Sequence, residues 1–303
     1  MKIKIRDIGS LLKTAFKEWF SKDPFKESAV IAYYAIFSLP GLLVVIITIA
    51  GAVFGQEAVH NHVSAQVSGV FGEDTSVQIQ EMIAKASETK NSVLATILGV
   101  ITILVGATGV FAQFQKSLNI IWEVKADENK SGILQLIKVR LFSFGLIISI
   151  AFILIVSLVI STILATLGDW LTGNFSDSFI IIIQALNFIF SLAVLAVLFA
   201  LMFKFFPDAK VKWRHVWVGS IVTALLFELG KFGLSLYFGK ADPATGYGTA
   251  GSIILILLWV SYSSMIVFYG AEFTRAFATM RDGEVKPSET AVKDKLRNKA
   301  AKI

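Results

Sequence analysis

The chain has 303 residues, of which 55% are hydrophobic and 17% charged, and it carries a net charge of +6. A soluble domain of this length would hold more charge, and here the apolar residues fall in long blocks, the signature of a membrane protein. The absence of cysteine excludes a disulfide framework, a thiolate zinc site and a thiol nucleophile.

Residues 5–20, IRDIGSLLKTAFKEWF, place Ile8, Leu11, Leu12, Ala15, Phe16 and Trp19 on one face, with Lys13 and Lys17 elsewhere. That spacing predicts an amphipathic helix within residues 1–28. It would either lie on the cytoplasmic membrane surface or pack beneath the bundle. Mixed charge and the lack of an A-x-A site argue against a cleaved signal peptide. Six apolar runs follow, at 29–54, 92–115, 141–167, 179–206, 216–238 and 248–274. Each is long enough for a helix across a bilayer core of about 30 Å. Backbone groups in lipid must pair within their own segment, so helices are expected, and period-2 alternation for a barrel is absent.

The expected fold is therefore an all-α, polytopic bundle of six transmembrane helices over residues 29–275. Its outer loop, 55–91, is long and acidic, and VQIQEMIAKAS within it has helical character. The tail 276–303 is charged and expected to be disordered. Lys and Arg set the orientation. Outside the spans, 24 of them fall on alternate connections and the two terminal segments, against three on the other side. Both termini are therefore expected in the cytoplasm.

Polar residues inside the spans are the candidate functional groups. Glu228 and Lys231 interrupt the fifth span in FELGKFG. At i and i+3 they share a helix face. A start near residue 216 puts Glu228 roughly 18 Å deep, close to the midplane. Charges there are costly and face the bundle interior or water. The pair is either a structural ion pair fastening span 5 to its neighbours or a site for a polar or charged substrate or proton. The first span carries Tyr33, Tyr34 and Ser38 before Pro40-Gly41. Pro40 should bend this helix and free backbone carbonyls. Gln113, Gln115 and Asn119 end span 2, and Gln184 and Asn187 lie in span 4; interhelical hydrogen bonding is their expected role. Glu272 and Arg275, at the cytoplasmic end of span 6, are expected to belong to the interface.

Other chemistry finds little support. GYGTAG at 246–251 fits G-x-G-x-x-G but follows a turn and opens a membrane span, so no nucleotide is expected. His60 and His62 lack a well-placed acidic partner for a metal. No cofactor, metal or nucleic-acid partner is expected; the partners are membrane lipids and an amphipathic or anionic solute. The sequence does not give an oligomeric state.

Five segments in order carry a resemblance: AYYAIFSLPGLL at 32–43, LNIIWEV at 118–124, FPDAKVKWRHVWVGS at 206–220, FELGKFGLSLYFG at 227–239, and YGTAGSIILILLWVSYSSMIVFYGAEFTRAF at 247–277. Over about residues 15–280 the chain resembles the YihY/virulence factor BrkB family of bacterial inner-membrane proteins. In that family one more residue usually separates Ser-Leu from Pro in span 1, whereas Pro40 here directly follows Leu39. The resemblance implies a multi-pass inner-membrane protein without a settled activity. Members have been called ribonuclease BN and have been linked to serum resistance and to export of lipid or envelope components. A nuclease needs a clustered metal or acid–base site, and the cytoplasmic connections offer only scattered Asp127, Glu128 and Asp208. A non-enzymatic transporter or lipid flippase with Glu228, Lys231, Tyr33, Tyr34, Ser38 and Pro40 at its site is the leading expectation. A non-transporting scaffold is the alternative, and a membrane-bound ribonuclease the least favoured.

Overall fold

In this computed structural model, the described residues are 5–55, 57, 60, 61, 64, 68, 76–81, 109–127, 178–241, 243, 247 and 250–294. Helix α1 spans Ile5–Ser21 and α2 spans Pro24–Phe54. The turn between them is tight because Asp23 takes a left-handed conformation (φ 52°) and Pro24 opens α2. Asp tolerates that region better than most residues, and Pro is suited to the first helical turn. Helix α3 covers 109–122. It stops at Glu123, another left-handed residue (φ 55°), and strand β1 follows at Val124–Ala126. Helices α4, Ser178–Phe205, α5, Trp213–Ala241, and α6, Gly251–Asp282, complete the helical set, and strand β2 lies at Ala291–Lys293.

Three stretches among the described residues are long and apolar enough to cross a membrane: Ala185–Phe205, Trp213–Lys240 and Gly251–Asp282. They correspond to the last three expected spans. Helix α2 carries the first apolar run, and it continues unbroken across Pro40 and Gly41, where an interruption was expected. The expected span 141–167 and most of 92–115 lie outside the described residues.

Helix α6 is the hub, packing against α1, α2 and α5, while α5 also packs on α4. The α5–α6 contact is close because each helix offers a glycine to the other's threonine. A Cβ at Gly219 would collide with the Thr274 side chain, and one at Gly270 with Thr223. Small residues let membrane helices approach to this range. Both threonine hydroxyls donate back to their own helix, Thr223 to Gly219 O and Thr274 to Gly270 O, each at 2.7 Å, so no buried hydroxyl is left unpaired at the crossing. Helix α2 meets another face of α6, where the Ser28 and Ser261 hydroxyls lie 3.2 Å apart. The apolar core gathers Leu118, Phe199, Phe203, Val216 and Phe268 from α3, α4, α5 and α6.

Helix α1 satisfies both expected placements at once. Leu11 and Ala15 are buried against Phe273 and Phe277 of α6, whereas Leu12, Phe16 and Phe20 remain exposed beside it. In the outer loop, residues 76–81 are helical, and the Ser252 hydroxyl at the start of α6 donates to Gln78 Oε1.

The tail differs from expectation. Helix α6 runs on to Asp282, and the chain then turns at Gly283 (φ 79°) into an ordered strap over 284–294. Strand β2 pairs antiparallel with β1, bringing Val124 opposite Lys293 and Ala126 opposite Ala291. Lys210 N donates to Lys286 O at 2.8 Å, Ser288 N to Asp208 O at 2.8 Å, and Asp127 N to Thr290 O at 3.0 Å. The strap thus ties the connection after α3 to the one between α4 and α5. Its charged side chains suggested a solvated tail, but the order comes from backbone hydrogen bonds, which side-chain composition does not report. The small β pair is likewise an addition to the expected all-α class.

Candidate functional site

Two groups of charges stand out. The first is the Glu228–Lys231 pair in the middle of α5. Trp213 opens the helix, and Glu228 lies about 22 Å further along it at 1.5 Å per residue. Lys231 Nζ sits 2.7 Å from Glu228 Oε2 and 2.9 Å from Oε1. The Glu228 side chain is 12% exposed and that of Lys231 40%. The next face of α5 is an apolar stripe, Ile221, Leu225, Leu229, Phe232 and Leu236, all exposed, with Leu229 at 69%. The pair therefore sits at the border between packed protein and this outward stripe. Both charges belong to one helix, and among the described residues the pair makes no ion pair or hydrogen bond to another helix.

The other expected site residues lie elsewhere. Tyr33 is exposed and its ring centroid lies 5.1 Å from that of Phe37. The Tyr34 ring rests on Gly109, where a Cβ would press against it at 3.0 Å. Ser38 is buried and donates to Ala35 O at 3.2 Å, back within its own helix. The backbone is helical at Pro40, and its side-chain surroundings lie outside the described residues. All four belong to α2, which packs on a different face of α6 from α5. No recorded contact among the described residues joins them to Glu228 or Lys231.

The second group was only half legible. Glu272 and Arg275 stand at i and i+3 on α6, and the structure adds Glu18 and Lys22 from α1 and Glu123 from the end of α3. Glu272 is fully buried. Its Oε2 accepts from Lys22 Nζ at 2.8 Å, and its Oε1 from Arg275 Nε at 2.7 Å. Lys22 also donates to Ile121 O at 2.9 Å. Arg275 Nη1 reaches Glu123 Oε1 at 2.7 Å, and Nη2 lies 3.4 Å from Glu18 Oε2. A buried carboxylate is tolerable only when paired and hydrogen-bonded, and here two cations meet that need. The cluster holds α1, α3 and α6 together at the end of the bundle where the strap lies. Beside it is a cavity of about 500 Å³ whose wall includes Glu18, Trp122, Glu123 and Arg275.

Polar fastening continues around that end. Asn119 and Asp208 bond reciprocally, Nδ2 to Oδ2 and Asp208 N to Oδ1, each at 2.8 Å. Glu27 Oε2 accepts from Ser117 at 2.6 Å and Gln113 at 3.1 Å. The glutamine and asparagine residues ending span 2 thus make the hydrogen bonds expected of them, Gln115 contributing at 3.4 Å to Asp208. Asn187 of α4 does not; it is exposed. Lys22 drew attention in the sequence only as one more topology-setting cation, since nothing local distinguishes a lysine that will be covered from one that will not.

A family profile described as Virulence factor BrkB matches residues 15–295 of the chain. Similar proteins named UPF0761 membrane protein include one from Pseudoalteromonas atlantica, 26% identical over 86% of this chain and 84% of its own length. One from Saccharophagus degradans is 26% identical over 89% of this chain and 60% of its own length. One from Yersinia pestis is 33% identical over 61% of this chain and 60% of its own length. The chain thus spans less than two thirds of some of the relatives it matches. No solved structure matches it.

Proposed function

The chain belongs to the virulence factor BrkB family of membrane proteins, and from that premise we propose that it is a transporter or flippase for an anionic amphipathic molecule. In this reading it sits in the bacterial cytoplasmic membrane with six spans and both termini inside, and it catalyses no covalent chemistry. One observation carries the reading: the mid-membrane Glu228–Lys231 pair bonds within its own helix. A fastener has to bridge two elements, and the cluster around Glu272 does so while this pair does not. Two charges near the bilayer centre cost roughly 2.5–3.5 kcal/mol each on insertion scales, so a role other than fastening is called for. A half-exposed ammonium held by an adjacent carboxylate can exchange that partner for a passing anionic group. The arrangement therefore suits a transient station rather than a permanent tie.

The scaffold reading keeps one supporting observation, the extent of polar fastening among α1, α2, α3 and α6. The two readings separate in reconstituted vesicles. Fluorescent NBD-labelled phosphatidylglycerol in vesicles holding the protein should become reducible by dithionite beyond the outer-leaflet half. The double change Glu228→Gln with Lys231→Met removes both charges together and should abolish that excess, with thermal unfolding in detergent unaltered. Wild-type vesicles indistinguishable from protein-free ones would overturn the flippase reading and favour the scaffold.

A further inference from the structure

We propose that a basic cavity between the end of α4, the start of α5 and the C-terminal strap binds the phosphate headgroup of an anionic lipid. This site is separate from the Glu228–Lys231 pair and depends on membrane insertion but not on transport. The cavity holds about 810 Å³, and Lys204, Lys210, Lys212 and Lys286 line it together with Trp213 and Asp282.

Its charges do not cancel. Asp282 is shared by Lys212, at 2.8 Å, and by Arg214. Glu284, the other acid in the wall, is engaged by Lys293. Lys210 has only an exposed contact with Glu289, at 3.2 Å, which is worth little in water. Lys286 is exposed, with no recorded side-chain partner among the described residues. Lys204 stands over the Trp213 ring, 5.7 Å from its centroid. An anion entering here would meet several donors that are not already neutralised.

The apolar surroundings select a lipid over free phosphate. Phe205, Trp213 and Trp217 are all exposed at the mouth, and aromatic residues of this kind mark the headgroup level of a bilayer. From Trp217 the exposed stripe Ile221, Leu225 and Phe232 runs on along α5, a path for acyl chains below a bound headgroup. Basic pockets between membrane helices on the cytoplasmic side bind anionic headgroups by this combination. Free phosphate would use the lysines but gain nothing from the stripe.

The test is native mass spectrometry of the full chain in detergent, titrated with phosphatidylglycerol or phosphatidylcholine. The variant is Lys210→Gln with Lys286→Gln. Both side chains are exposed and the strap uses only their backbone atoms, so the fold is retained. A control, Lys13→Gln with Lys17→Gln, removes the same charge from exposed positions on α1. Each lysine near an anionic surface contributes about 1 kcal/mol, so the variant should weaken phosphatidylglycerol binding on the order of tenfold or more. The control and phosphatidylcholine binding should be little changed. Unchanged affinity, or an equal loss in the control, would overturn the site. Displacement of the lipid by an equal concentration of inorganic phosphate or by a short RNA would overturn the lipid assignment. These outcomes read binding alone, so a failure of lipid transport leaves them intact.

Discussion

Lys22 shows how much a single residue can depend on a distant part of the chain. It is buried because Asp23 and Pro24 turn the chain beneath α6, which sets the ammonium against the Glu272 carboxylate 250 positions away in sequence. Removing one partner of a buried pair costs on the order of 3–5 kcal/mol, because the other charge stays behind. Lys22→Met should therefore lower the thermal unfolding temperature in detergent strongly. Adding Glu272→Gln should restore part of the loss, since the stranded carboxylate is then neutral. A single variant as stable as wild type would show that the cluster is not the fastener described. The sequence disclosed the Glu272–Arg275 spacing, but not Lys22 or Glu123. Their charge is ordinary, and only the fold decides that they are covered. The Glu228–Lys231 pair was legible for the opposite reason, because an apolar setting makes any charge conspicuous.

At the scale of elements, hydrophobic length was a sound guide and charge was not. The last three spans are met by α4, α5 and α6, since a run of about 20 apolar residues has few other uses. The strap was missed because backbone pairing carries it. Asp127 and Lys210 donate their amides to Thr290 and Lys286, and none of these residues announces a strand. Truncation after Gly283 would remove both acceptors. With each hydrogen bond worth about 0.5–1.5 kcal/mol net, the Asp127 and Lys210 amides should exchange with deuterium roughly tenfold faster. Unaltered exchange at both would mean that the strap does not hold those loops. The α2 residues show another limit of the sequence. Tyr33, Tyr34 and Ser38 are polar groups in an apolar helix, like Glu228, but shared polarity does not specify which face of α6 each helix takes.

For the whole molecule, the Lys and Arg bias predicted that the N-terminal segment, the 116–140 connection, the 204–215 connection and the tail would share one side. The described parts of all four do meet at one end, through Lys22 with Ile121, Asn119 with Asp208, and the strap with both connections. The absence of cysteine makes the orientation directly testable. Glu57 and Lys13 are exposed and lie beyond opposite ends of α2's apolar run. With an impermeant maleimide, Glu57→Cys should label in intact spheroplasts and Lys13→Cys only in inside-out vesicles. Labelling of both from one side would refute a single crossing between them.

The position of α6 also has a consequence for the order of assembly. The helix that packs on α1, α2 and α5 emerges from the ribosome after all of them. At roughly 5–20 residues per second, Lys22 waits about 12–50 seconds for Glu272 to be made. Until then the earlier helices lack their shared partner and the first buried charge lacks its counterion. A chain stalled before residue 251 would therefore present quality-control proteases with helices that have no hub to close on, and the last span acts as a checkpoint for completeness.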